Sequence, residues 1–78
     1  NVLVAAGNSG APDLVPSCEA LLKDASPLVR GAAVWALSRL VAPDRLRRLA
    51  AEAGQEPEAE VREEWRMALG AGNEQEQG

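Results

Sequence analysis

Apolar residues recur along this chain at intervals of three and four, in blocks separated by short breaks that carry proline, glycine or charge. That spacing predicts amphipathic helices, because residues three and four apart lie on one side of a 3.6-residue turn. The first helix is expected to start at Asp13 as a side-chain cap, with Leu14, Val15, Cys18, Leu21 and Leu22 in one stripe and Pro16 tolerated in the first turn. The second takes Ser26 as cap and Pro27 as first helical residue, and turns Val29, Ala32, Ala33, Ala36, Leu37 and Leu40 inward. Gly31 and the alanines of that helix allow close approach, as a helix between two neighbours requires. A third helix is expected from about Asp44 to Ala53, with Leu46, Leu49 and Ala50 inward and Gly54 as a left-handed stop. A fourth should begin near Pro57 and bury Val61, Trp65, Ala68 and Leu69. Gly70-Ala71-Gly72 should end it, releasing a polar tail over 73–78 that is expected to be disordered.

The four helices form two copies of one unit. Ala11-Pro12-Asp13 recurs as Ala42-Pro43-Asp44, and further along Val29-Arg30 recurs as Val61-Arg62 and Ala36-Leu37 as Ala68-Leu69, the last two matches shifted by one position more than the first. Gly54 absorbs the extra residue. Asp24 stands six before Arg30, as Glu56 stands six before Arg62. A period near 31 predicts paired-helix repeats stacked side by side. By the same register Val2 to Ala6 match the end of a second-half helix, so the chain reads as a piece of a longer protein, a repeat domain over 1–72 followed by the tail.

Composition narrows the functional classes. Only 78 residues are present, 46% of them apolar and just two of them aromatic, which limits the chain to one small core of Ala, Leu and Val. A core of that size leaves roughly 3–5 kcal/mol of net stability, so neighbouring protein is expected to add burial. The opening apolar run is far shorter than the ~18 residues a membrane span needs and lacks a signal-peptide pattern, which predicts a soluble, cytoplasmic protein. With no His and one Cys, the chain holds neither an internal disulfide nor the ligands for a thiolate cluster or an imidazole metal site.

The run Asp24-x-x-Pro27-x-Val29-Arg30-x-x-Ala33-x-x-Ala36-Leu37 resembles the HEAT-repeat signature, and the second copy keeps Val61-Arg62, Ala68 and Leu69. The resemblance implies an all-α fold, a short α-solenoid of HEAT-like helical hairpins such as those of phycobilin lyases, with about two repeats plus the end of a preceding helix. Gly7-Asn8-Ser9-Gly10, taken with Ser26 to Leu37, is similar to the C-terminal repeat region of epoxyqueuosine reductases, over roughly residues 1–40. Those enzymes complete queuosine on tRNA with iron–sulfur clusters and cobalamin. Their catalytic and cofactor-binding parts lie upstream, so the resemblance implies no catalytic, cofactor or metal residue here. It implies instead a docking role beside an upstream catalytic domain of the same chain, with tRNA as partner. A protein partner on a general helical scaffold is the other reading.

Charge is divided along the chain in a way that bears on both. Residues 14–51 carry six basic and three acidic groups, whereas residues 52–78 carry two basic and eight acidic ones. Arg39, Arg45, Arg47 and Arg48 fall around one inter-helix turn and are the candidate tRNA-contacting residues, with Asn8 and Ser9 from the short loop. An ordinary solvated helix face, with local pairing to Asp44 and Glu52, accounts for the same arginines equally well. Asp24, Arg30, Glu56 and Arg62 have the spacing of a structural ladder between helices. Trp35, at the flank of its stripe, covers the repeat edge or stacks on a base. Cys18 reads as a small buried hydrophobe, and the carboxylates at 56–64 as a solvated face.

Overall fold

The structure, a computed structural model, describes Asn8 and residues 12–77. After a short 3-10 turn, Pro12–Leu14, come four helices: α1 Val15–Leu21, α2 Pro27–Leu40, α3 Pro43–Ala53 and α4 Ala59–Gln77. They form two hairpins, α1–α2 and α3–α4, with α2 packed chiefly against α4 and α1 against α2. The described residues contain no strand. Expectations placed on residues 1–7, 9–11 and 78 lie outside the described residues.

Local chemistry accounts for where the helices start and stop. Pro16 has no N–H to give to the carbonyl four residues back, so the chain runs as a 3-10 turn before α1 settles into α geometry. Asp13 is therefore exposed within that turn and caps nothing; Leu14 occupies the cap position without a side-chain bond. α1 closes by tightening, with the N–H groups of Leu22, Lys23 and Asp24 each bonded three residues back. At α2, Ser26 Oγ accepts from the Val29 N–H and Pro27 takes the first helical position. α3 starts at Pro43 behind Ala42, and Gly54 ends it with φ 72° and ψ −149°, a positive-φ extended conformation in place of the left-handed helical one expected.

Two boundaries of α4 differ from the sequence expectation. It begins at Ala59, because the Glu56 carboxylate accepts the Glu58 N–H and the first helical bond runs from Arg62 N–H to Glu58 O. Its helical bounds also extend through Gly70 and Gly72 to Gln77. Each glycine costs about 1 kcal/mol of helix propensity relative to Ala, but no proline follows to remove a hydrogen bond.

The core lies where α2 meets the other three helices. Cys18, Ala33, Ala36, Leu37 and Leu46 form its buried centre, with Leu14, Val15, Leu21, Leu22, Leu49, Ala68 and Leu69 packed around it. Trp35 and Trp65 pack against this cluster but are only half-buried. Val34 and Val61 are fully buried as well. Burial of Val34 was not foreseen from a single stripe: α2 is covered on two sides, so its apolar arc is wider than that of a surface helix.

Candidate functional site

The four ladder residues occupy equivalent places in the two hairpins and make equivalent bonds. Asp24 accepts the Ser26 N–H on its carboxylate at 2.9 Å, and Glu56 accepts the Glu58 N–H at 2.9 Å. Arg30 donates through Nη1 to the carbonyls of Asp24 (2.8 Å) and Ala25 (3.1 Å); Arg62 does the same to Glu56 (2.8 Å) and Pro57 (2.9 Å). Each arginine thus braces the turn that leads into its own helix. The charged contact runs between hairpins instead: Arg30 Nε and Nη2 hold the two oxygens of Glu56 at 3.0 and 2.9 Å. Asp24 and Arg30 meet through a backbone carbonyl rather than a direct salt bridge, with the Asp24 carboxylate turned onto its own turn and its charge only adding to the field at Arg30.

The Arg30–Glu56 pair is the most protected ion pair among the described residues, with side-chain exposures of 15% and 11%. The hydrogen bond from Arg30 holds the Glu56 carboxyl below the usual carboxylate range; burial opposes this, and the Glu58 N–H and the charges of Arg30 and Arg62 reinforce it. The same bond raises the Arg30 guanidinium above its ordinary value. A bidentate guanidinium–carboxylate contact fixes orientation as well as distance, so this pair sets the register of one hairpin on the next.

The basic residues of the α2–α3 corner are all exposed but do not converge on one face. Arg45 donates to Glu19 of α1, and Arg47 pairs with Asp44 in the first turn of its own helix. Two residues on a helix lie about 200° apart, so Arg45 and Arg47 emerge on opposite sides of α3. Arg47 lies on the side near Ala68 and Leu69 of α4. Arg39 places its guanidinium 5.6 Å from the centre of the Trp35 ring, a cation–π arrangement. Arg48 is exposed on α3, as is Asn8 near the start of the described residues. Glu19 was missed as a partner, although it precedes Arg45 by the same interval that separates Arg30 from Glu56.

Two open grooves flank the α2–α4 contact. One, about 830 Å³, runs between the outer helices α1 and α3 over a floor of Val34, Val61 and Trp65. The other, about 480 Å³, lies on the opposite side, where Leu28, Ala32 and Trp35 of α2 face Glu60 and Glu64 of α4. Leu28 is 80% exposed. Cys18 is buried, and burial pushes its thiol up, away from the reactive thiolate. Among the described residues no group of three metal-ligating side chains comes together, and no helix is long and apolar enough to cross a membrane.

The outer and inner helices, the small-residue contact between inner helices and the repeated arginine brace are all features of stacked helical hairpins. A family model described as HEAT repeats matches residues 1–70. No curated protein and no solved structure gives a match. The matched stretch takes in the first hairpin, α3, the larger part of α4 and all four ladder residues, and the chain belongs to the HEAT-repeat family.

Proposed function

We propose that this chain is a non-catalytic docking module, two stacked hairpins whose exposed faces hold a larger partner in place. One observation carries this reading. The most protected ionised groups, Arg30 and Glu56, are bonded to each other and to backbone, and the single thiol is buried with its proton held on. None of these three groups is thereby set up as acid, base or nucleophile for a substrate in either groove. The exposed Leu28 beside Trp35 instead offers an apolar anchor of the kind that polypeptide partners use.

A narrower reading places the module in a parent enzyme of the epoxyqueuosine reductase kind, next to an upstream domain holding iron–sulfur clusters and cobalamin, with tRNA as the bound partner. The resemblance of Gly7 to Gly10, taken with Ser26 to Leu37, and the solvent exposure of Arg39, Arg45, Arg47 and Arg48 support it. In this reading phosphates compete with Glu19 and Asp44 for Arg45 and Arg47.

The parent enzyme separates these roles. Leu28→Asp and the triple change of Arg45, Arg47 and Arg48 to Ala are each assayed for KM and kcat. A docking role raises KM and leaves kcat at saturation unchanged; a fall in kcat alone overturns it. For the tRNA reading, the triple variant is titrated with tRNA at several salt concentrations, and the salt slope should fall by about one per arginine that meets a phosphate. Unchanged affinity and slope remove tRNA from the reading and leave a protein partner.

A further inference from the structure

The groove beside Leu28 has two walls of different chemistry. The shift that carries Val29 onto Val61 also carries Leu28 onto Glu60 and Ala32 onto Glu64, and all four of these residues line the groove. Equivalent positions of α2 and α4 thus face the same side of the stack, and an apolar stripe on α2 stands against an acidic one on α4. Leu28 is 80% exposed, and the half-buried Trp35 continues its stripe two turns later with Ala32 between them. Glu60 and Glu64 stand one turn apart. Gly31, without a side chain, lets Glu64 lean over α2; a Cβ there would lie 3.5 Å from Glu64 Cγ.

Charge decides what this groove takes. Among the described residues Glu60 and Glu64 are the only charged ones that line it, and no ion pair among them uses either carboxylate. The cations of the same helix are engaged elsewhere, Arg62 on the carbonyls of Glu56 and Pro57 and Arg66 on Glu63. Two like charges one helical turn apart repel each other, and cations brought by a partner relieve both. The same charges turn phosphates away. Residues 1–11 contain neither Arg nor Lys, so that segment cannot supply the cations. A second copy carries a net charge of −4 and sends Arg45 and Arg47 to opposite sides of α3, around the buried Leu46.

We infer that this groove takes a basic amphipathic helix of another polypeptide, which lays apolar side chains on Leu28 and Trp35 and sets Lys or Arg side chains four residues apart on Glu60 and Glu64. The inference rests on the docking role proposed above and names the chemistry of the partner at that face.

A synthetic helical peptide with Leu residues seven apart and Lys residues four apart on one side tests it, titrated into the full chain and followed by calorimetry and by the NMR shifts of the groove residues. Binding should saturate and weaken as salt is raised. Glu60→Gln with Glu64→Gln should weaken it at least tenfold and flatten the salt dependence, whereas Leu28→Ser should weaken it at least tenfold and leave that dependence in place. Asp13→Asn with Glu52→Gln removes the same charge outside this groove and should stay within twofold of the natural chain. Circular dichroism confirms that each variant is folded. The inference is overturned if the peptide does not bind the natural chain, if a peptide of the same composition with its Lys residues on the opposite side binds as well, or if the paired change of Glu60 and Glu64 leaves affinity unmoved. Single-stranded RNA that shifts the same groove residues, or self-association that Glu60→Gln with Glu64→Gln disperses, assigns the groove another occupant and overturns it too. A parent enzyme whose KM rises with Leu28→Asp although the peptide fails to bind keeps the docking role and loses only this partner chemistry, so the two readings fail separately.

Discussion

Arg30 of α2 closes a two-point contact on Glu56 of the following hairpin, and with its remaining nitrogen braces the turn from which its own helix starts. One side chain therefore joins the two hairpins and fixes a helix entry. Its repeat counterpart Arg62 performs only the second task among the described residues. The comparison between them isolates what the inter-hairpin rung contributes.

Arg30→Ala should lower the urea midpoint of unfolding more than Arg62→Ala does, because only the first leaves a partly buried carboxylate without its donor. Arg30→Lys should fall between wild type and Arg30→Ala, since an ammonium cannot bridge both oxygens of Glu56. Equal midpoints for Arg30→Ala and Arg62→Ala would mean that the rung adds nothing beyond the turn contacts.

Acid should dissolve the same rung. The Glu56 carboxyl is held low in the folded chain mainly by the hydrogen bond from Arg30, whereas in the unfolded chain it titrates near the ordinary value of about 4.3. A depressed folded value contributes stability that is complete above the unfolded value and is lost as pH falls through the folded one. Thermal midpoints followed by circular dichroism should thus fall more steeply for the natural chain than for Glu56→Gln as pH drops below about 4.3. Parallel curves would show that Glu56 is not the linked group.

Gly31 and Gly54 should respond oppositely to alanine. At Gly31 the added methyl meets nothing closer than Glu64 Cγ at 3.5 Å, an ordinary contact, so the substitution keeps the packing. Relief of the mid-helix glycine should stabilise the fold by about 0.5–1 kcal/mol. At Gly54 there is open space around the new methyl, but φ is 72° with ψ −149°, and a side chain there should cost about 1–3 kcal/mol. Chemical denaturation of the two variants gives the signs directly.

Truncation should separate the core from the docking face. Leu37 is fully buried, and Leu37→Ala should cost about 2–5 kcal/mol through lost transfer energy and the cavity left behind. Leu28, though of the same residue type on the same helix, is 80% exposed; Leu28→Ser should stay within about 0.5 kcal/mol of wild type. A large loss from Leu28→Ser in the isolated chain would place that residue in the core rather than on a binding surface.

Much of this architecture is present in the chain as local rules. Ser26 before Pro27 and the three-and-four spacing of Cys18 with Leu21 and Leu22 act over a few residues, and Val29-Arg30 returns as Val61-Arg62, so helix type, the Ser26 cap and repeat order could be read directly. The register even contains the true start of α4, since the shift that carries Val29 onto Val61 carries Pro27, the first residue of α2, onto Ala59; the proline at 57 drew the boundary too early. Other features depend on which surfaces meet. Only packing could bury Val34, bring Arg30 of one hairpin to Glu56 of the next and Arg45 to Glu19, or leave Leu28 in water. The physical division is one of range. Backbone hydrogen bonds and helical periodicity are settled by near neighbours within a turn of helix, whereas burial and ion pairing depend on side chains brought together from separate hairpins, a geometry that the folded stack alone supplies.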